Sequence, residues 1–117
     1  LNIPQLKYLD LSNCELTSLK HQNINCDKVN IIILSHNYLS EFVISDFSFR
    51  PSEIILNNNR LKFIDSLGLF DRLKYLNLAC NEIQALDFHG SVHTSLNIAF
   101  NPILDKRPIY FYSFRHV

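Results

Sequence analysis

The sequence predicts an α/β-class solenoid: a horseshoe of five short coils with a parallel β-sheet on its concave side and mostly loop or 3₁₀ structure on its convex side. Two observations carry that expectation. An eleven-residue pattern recurs five times, as LKYLDLSNCEL (6–16), VNIIILSHNYL (29–39), PSEIILNNNRL (51–61), LKYLNLACNEI (73–83) and HTSLNIAFNPI (93–103). The ninth positions, Cys14, Asn37, Asn59, Asn81 and Asn101, lie 23, 22, 22 and 20 residues apart, a spacing that belongs to stacked repeats.

Each element follows from alternation along a strand. Positions four and six of a unit point to one side. Leu9 with Leu11, Ile32 with Leu34, Ile54 with Leu56, Leu76 with Leu78, and Leu96 with Ile98 therefore form two inward columns. No coil buries these residues alone, whereas stacked coils share one core. Strands are expected near 8–11, 31–34, 53–56, 75–78 and 95–98, in a single domain over 1–117.

At the ninth position the chain turns and leaves backbone groups that no strand ladder pairs. An inward asparagine amide both donates and accepts there, coil after coil. Cys14 puts a weak thiol donor in its place and is expected to be a buried structural thiol.

Between strands the pattern loosens. Leu61, Ile64, Leu67, Phe70 and Leu73 recur every third residue, which suits a 3₁₀-like or extended convex segment. The stretches KHQNINCDK (20–28) and HGSVHT (89–94), and the run holding Phe42, Phe47 and Phe49, break that period and predict loops or short turns. Pro51 opens its strand, a position proline accepts. Leu1, Ile3 and Pro4 suggest the tail of an earlier coil, and the apolar YFYSF (110–114) suggests a cover for the last one. We expect further repeats upstream, because terminal coils need covering.

Composition narrows the function classes. The 11 basic side chains balance 11 acidic ones, so net charge favours neither nucleic acid nor an anionic membrane. DKRP (105–108) and Arg115-His116 are basic only locally, with no stripe along the repeats. No apolar run approaches the ~18 residues of a membrane helix, so no membrane insertion is expected. The chain opens at Leu1 with no signal-peptide pattern, and none of its 13 asparagines begins an N-x-S/T sequon, which argues weakly against a glycosylated surface.

The pattern resembles the leucine-rich repeat superfamily over residues 6–103. That resemblance implies a non-catalytic scaffold that binds proteins on its concave sheet or edges. The three-residue period of Leu61–Leu73 looks like the 22-residue subtype of cytosolic phosphatase regulators and bacterial internalins. NPILDKRPIYFY (101–112) looks like part of the tyrosine-containing C-terminal cap of cytosolic eukaryotic members. LDLSNCELTSL (9–19) and ILSHNYLSEF (33–42) look equally like extracellular members, including insect innate-immune proteins and Toll-type ectodomains. Two settings stay open: an extracellular or innate-immune recognition protein, and a cytosolic adaptor or regulatory subunit.

Positions two, three, five, seven and eight are expected to face the concave surface. There Tyr8, Ile31, Ile33, Ile55 and Tyr75 gather as an apolar centre, with Asp10, Glu53 and Asn77 on a polar rim beside Lys7 and Lys74. An apolar, partly aromatic centre with a polar border suits a protein partner. The competing reading is that VNIIIL merely favours strand formation.

Other chemistry has little support. Cys80 shares the eighth-position column with His36, which invites a cysteine-dependent enzyme. Two coil spacings, roughly 10 Å, separate the pair, and no orienting third group is apparent. We therefore expect no catalysis, no cofactor and no small-molecule substrate. His89 and His93 sit four apart around Gly90 with no further ligand, so no metal is expected. Cys14 and Cys80 lie three coils apart, roughly 14 Å, too far for a disulfide. Unpaired thiols point to a reducing compartment, unless Cys26 pairs outside this chain.

Overall fold

In a computed structural model, the chain is described over residues 2–20, 24–43, 47–64, 72–85 and 94–103. Five strands, β1 (Tyr8–Asp10), β2 (Ile31–Ile33), β3 (Glu53–Ile55), β4 (Tyr75–Asn77) and β5 (Ser95–Asn97), form one parallel sheet in sequence order. Each strand spans three residues, one fewer than expected. The residue that follows has left the strand, yet in the first four coils its N–H still donates to the next coil at 2.7–2.8 Å, as Leu11 does to the Ile33 carbonyl.

The inward columns explain why the coils stack. Leu9, Ile32, Ile54, Leu76 and Leu96 are all buried, as are Leu34, Leu56, Leu78 and Ile98. Leu11 alone is half-buried, because no described coil covers the outer side of β1. Burying each such side chain contributes about 1.5–3 kcal/mol, so the stack rather than any single coil holds the fold.

The asparagine ladder is directional. Asn37 Oδ1 accepts the N–H groups of Cys14 and Leu16 in the preceding coil, each at 3.0 Å. Its Nδ2 donates to the carbonyls of Leu11 and Leu34 at 3.0 Å and of Ser35 at 3.3 Å. Asn59, Asn81 and Asn101 repeat this scheme, each reaching back to the coil before it. Cys14 departs from expectation, because it is exposed rather than buried. It closes the outermost described coil, and its thiol donates only to its own Ser12 carbonyl at 3.4 Å.

The described connections contain no helix. Phe42, Phe47 and Phe49 are buried together, with ring centroids 5.7 Å apart for the first pair and 5.0 Å for the second. Leu61, Ile64 and Leu73 are buried too, whereas Leu67 and Phe70 of the three-residue period lie outside the described residues. Leu1, YFYSF (110–114), DKRP (105–108), Arg115 and His116 also lie outside them. Asn2 pairs in parallel with Asn25, and the Asn25 amide donates to Asn2 Oδ1 at 3.0 Å. The register of the coils thus extends back to residue 2.

One backbone feature repeats without any glycine. Asn13, His36, Asn58, Cys80 and Phe100, all at the eighth position, have φ of 54–59°. This left-handed turn starts the chain back from the sheet. Asparagine tolerates that region, whereas other side chains crowd the following carbonyl at a cost of roughly 1–2 kcal/mol. His36 is exposed, so its exchange reports backbone strain with little loss of packing. His36→Gly should raise the unfolding free energy by about 0.5–1 kcal/mol, and His36→Val should lower it by about 1 kcal/mol or more, in urea titrations. Equal stability of the two variants would contradict a strained turn.

Candidate functional site on the concave sheet

The strand register assembles the candidate residues into two columns. Tyr8, Ile31, Glu53 and Tyr75 are successive partners in the first, followed by Ser95. Asp10, Ile33, Ile55 and Asn77 are successive partners in the second, followed by Asn97. Neighbours along a column are about 4.8 Å apart, the spacing between paired strands. Strand alternation puts both columns opposite the buried centre of each strand. Tyr8 and Asp10 are exposed, and Ile31, Ile33, Glu53, Ile55, Tyr75 and Asn77 are half-buried.

The rim residues are less alike than their positions suggest. Asp10 Oδ1 accepts the Ser12 hydroxyl at 2.6 Å and the Ser12 N–H at 2.9 Å. The hydroxyl bond, then the backbone bond, hold the Asp10 carboxyl below the usual aspartate range, against a small opposing effect of desolvation. Asn77 Oδ1 accepts the Ala79 N–H at 3.0 Å, and Asn97 does the same for Ala99 at 3.1 Å. These three side chains thus fasten the strand end, as Asx turns do. Glu53 differs: among the described residues its carboxylate has no hydrogen-bond or ion-pair partner.

The seventh position corrects the expected surface. Ser35 and Ala79 are buried, and Ser35 Oγ donates to Asn57 Oδ1 at 2.7 Å. Ser12, Asn57 and Ala99 of the same column are half-buried, so the column turns inward only at Ser35 and Ala79. The eighth position sits on the left-handed turn at the sheet's margin. Sequence reasoning missed both the turn and the fastening role at position five. Signals existed: asparagine stands at the eighth position in Asn13 and Asn58, and Asp10, Asn77 and Asn97 each precede a small residue two places on.

Other groups stay apart. No hydrogen bond links Cys80 to His36 among the described residues, and the register puts Asn58 between them. No group of three histidine, cysteine, aspartate or glutamate side chains suited to a metal occurs among the described residues, and His89 and His93 lie outside them. All three cysteines are free thiols: Cys14 exposed, Cys80 half-buried, and Cys26 wholly buried in the core. No described helix is long and apolar enough to cross a membrane.

A stack of short parallel strands, each after the first followed by an inward asparagine that serves the coil before it, defines a class of repeat solenoid. A family profile described as Leucine Rich Repeat matches residues 5–26, and a second with the same description matches residues 73–86. The two matches support a leucine-rich repeat family and resolve no subfamily within it. No curated protein and no solved structure matches the chain. Repeats of this family commonly serve as protein-interaction modules and are generally non-catalytic.

Proposed function

We propose that this chain is a protein-recognition module without catalytic activity and that its partner docks on the concave sheet. The patch comprises Tyr8, Asp10, Ile31, Ile33, Glu53, Ile55, Tyr75 and Asn77. One observation carries the reading: the register sets Ile31, Ile33 and Ile55 side by side between two tyrosines, on a face that no described segment covers. A contiguous apolar centre of this kind, bordered by polar groups, is a usual docking surface.

The test uses binders selected from a displayed library of natural protein fragments. Ile33→Asp puts a charge at the patch centre and should weaken such binders roughly 100-fold, since hot-spot residues contribute about 2 kcal/mol or more. Tyr75→Ala should have a similar effect. Far-UV circular dichroism should be unchanged, because both side chains lie outside the buried columns. Binding that survives both substitutions would sink the proposal.

Two biological settings suit such a module: an extracellular recognition protein of innate-immune type, and a cytosolic adaptor or regulatory subunit. The three free thiols favour the second, because disulfides are rare in reducing compartments. Titration of protein isolated from its native source should find three reactive thiols after denaturation. A disulfide involving Cys26 would favour the extracellular setting instead.

A further inference from the structure

We propose, on the basis of the concave-face reading, that the partner is recognised through an arginine whose guanidinium lies between Glu53 and Tyr75. Apolar side chains beside that arginine would rest on Ile31, Ile33 and Ile55. The partner is thus a protein segment in which a basic residue is flanked by apolar ones.

The patch holds two acids, Asp10 and Glu53. Asp10 is already engaged by the Ser12 hydroxyl and N–H, whereas Glu53 has no partner among the described residues. Glu53 is half-buried and stands between Ile31 and Tyr75 in register, with Ile55 two residues along its own strand. A partner covering this face removes water from the carboxylate. That step is costly unless the partner brings a compensating charge with hydrogen-bond donors. The chain's own nearest cation is not placed to do so. Lys74, adjacent to Tyr75 in sequence, is exposed and makes no ion pair with Glu53 among the described residues.

Tyr75 decides which cation fits. Its backbone is the register partner of Glu53, one strand spacing away at about 4.8 Å, so one ligand group can reach both side chains. A guanidinium donates two parallel bonds to a carboxylate and also stacks on an aromatic face, whereas an ammonium lacks the planar fork. The same pairing already exists elsewhere in this fold. Arg60 lies over the Tyr38 ring of the preceding coil, 4.8 Å from its centroid. Coil spacing therefore accommodates an arginine on a tyrosine from a neighbouring coil.

The test is a random linear peptide library displayed on phage, selected on the intact chain and counter-screened on Ile33→Asp. Peptides lost on Ile33→Asp are concave binders. They should be enriched in arginine flanked by apolar residues. Replacing that arginine by lysine, or Glu53 by Gln, should weaken them roughly ten-fold or more, and Tyr75→Leu a few-fold. Glu53→Lys should abolish their binding and accept versions carrying glutamate in place of the arginine. Circular dichroism of each variant should match that of the parent. Concave binders without basic enrichment, or with unchanged affinity for Glu53→Gln, would overturn the arginine proposal and leave the concave reading standing. If no selected peptide responds to Ile33→Asp, the concave reading fails and this proposal with it.

Discussion

Replacing Asn59 by alanine is expected to lower the unfolding free energy by about 3 kcal/mol or more. The side chain is buried, and the loss is specific. The Leu39 N–H loses its acceptor at 3.0 Å, and the Leu34 and Leu56 carbonyls lose donors at 2.9 and 3.1 Å. Each buried group left unpaired costs about 1–3 kcal/mol, while the methyl of alanine restores none of these bonds. Two of the three partners belong to the preceding coil, so the weakness falls at the junction of the second and third coils. Cys14→Ala is the control. Its thiol is exposed and makes one weak bond, so the change should stay within about 0.5 kcal/mol. Equilibrium urea unfolding measures both, and hydrogen exchange at Leu39 should quicken in the Asn59 variant. If the two substitutions cost the same, the ladder is not what joins the coils.

The second large effect is expected at Phe49. Its ring is fully buried and packs on Phe47, which in turn stacks on Phe42. Phe49→Ala should cost about 3–5 kcal/mol, and Phe49→Leu appreciably less, because leucine refills part of the volume. The backbone around the ring limits collapse. Arg50 Nη1 donates to the Phe47 and Phe49 carbonyls at 2.9 Å, and Ser48 Oγ donates to Asp27 Oδ1 at 2.6 Å. A held loop relaxes little, so a cavity opened there should persist. Thermal unfolding of the two variants tests this, and nearly equal losses would mean that the convex side repacks freely.

Neither site touches the concave face, so both variants should bind as the parent does while they remain folded. Ile33→Asp should behave in the opposite way, with binding lost and the fold kept. This separation of effects follows from alternation: residues of one parity build the core, and those of the other parity are left on the surface.

The same alternation explains how much was legible beforehand. Leu76, Leu78 and Asn81 announce their roles because each recurs in coil after coil, and a recurring residue meets a recurring environment. The membership of the two concave columns was legible for the same reason. What each member does there was not. Asp10 and Asn77 occupy equivalent positions with Ile33 and Ile55, yet the polar pair fastens the strand end and the apolar pair does not. Cys14 occupies the asparagine position, yet it is exposed, since burial there depends on a coil lying beyond it.

The sequence by itself determined the repeat, the inward columns, the ladder position and the set of side chains left outside the core on the sheet. These depend on local periodicity, which a stack converts directly into shared burial. Only the tertiary structure decided the left-handed turn at His36 and Cys80, the inward seventh position at Ser35 and Ala79, and the isolation of Glu53 from any partner among the described residues. Those features depend on what the next coil brings alongside: a backbone carbonyl for the turn, as Asn57 accepts the His36 N–H at 3.0 Å, and the Asn57 amide for Ser35, and one coil's sequence carries no record of its neighbour.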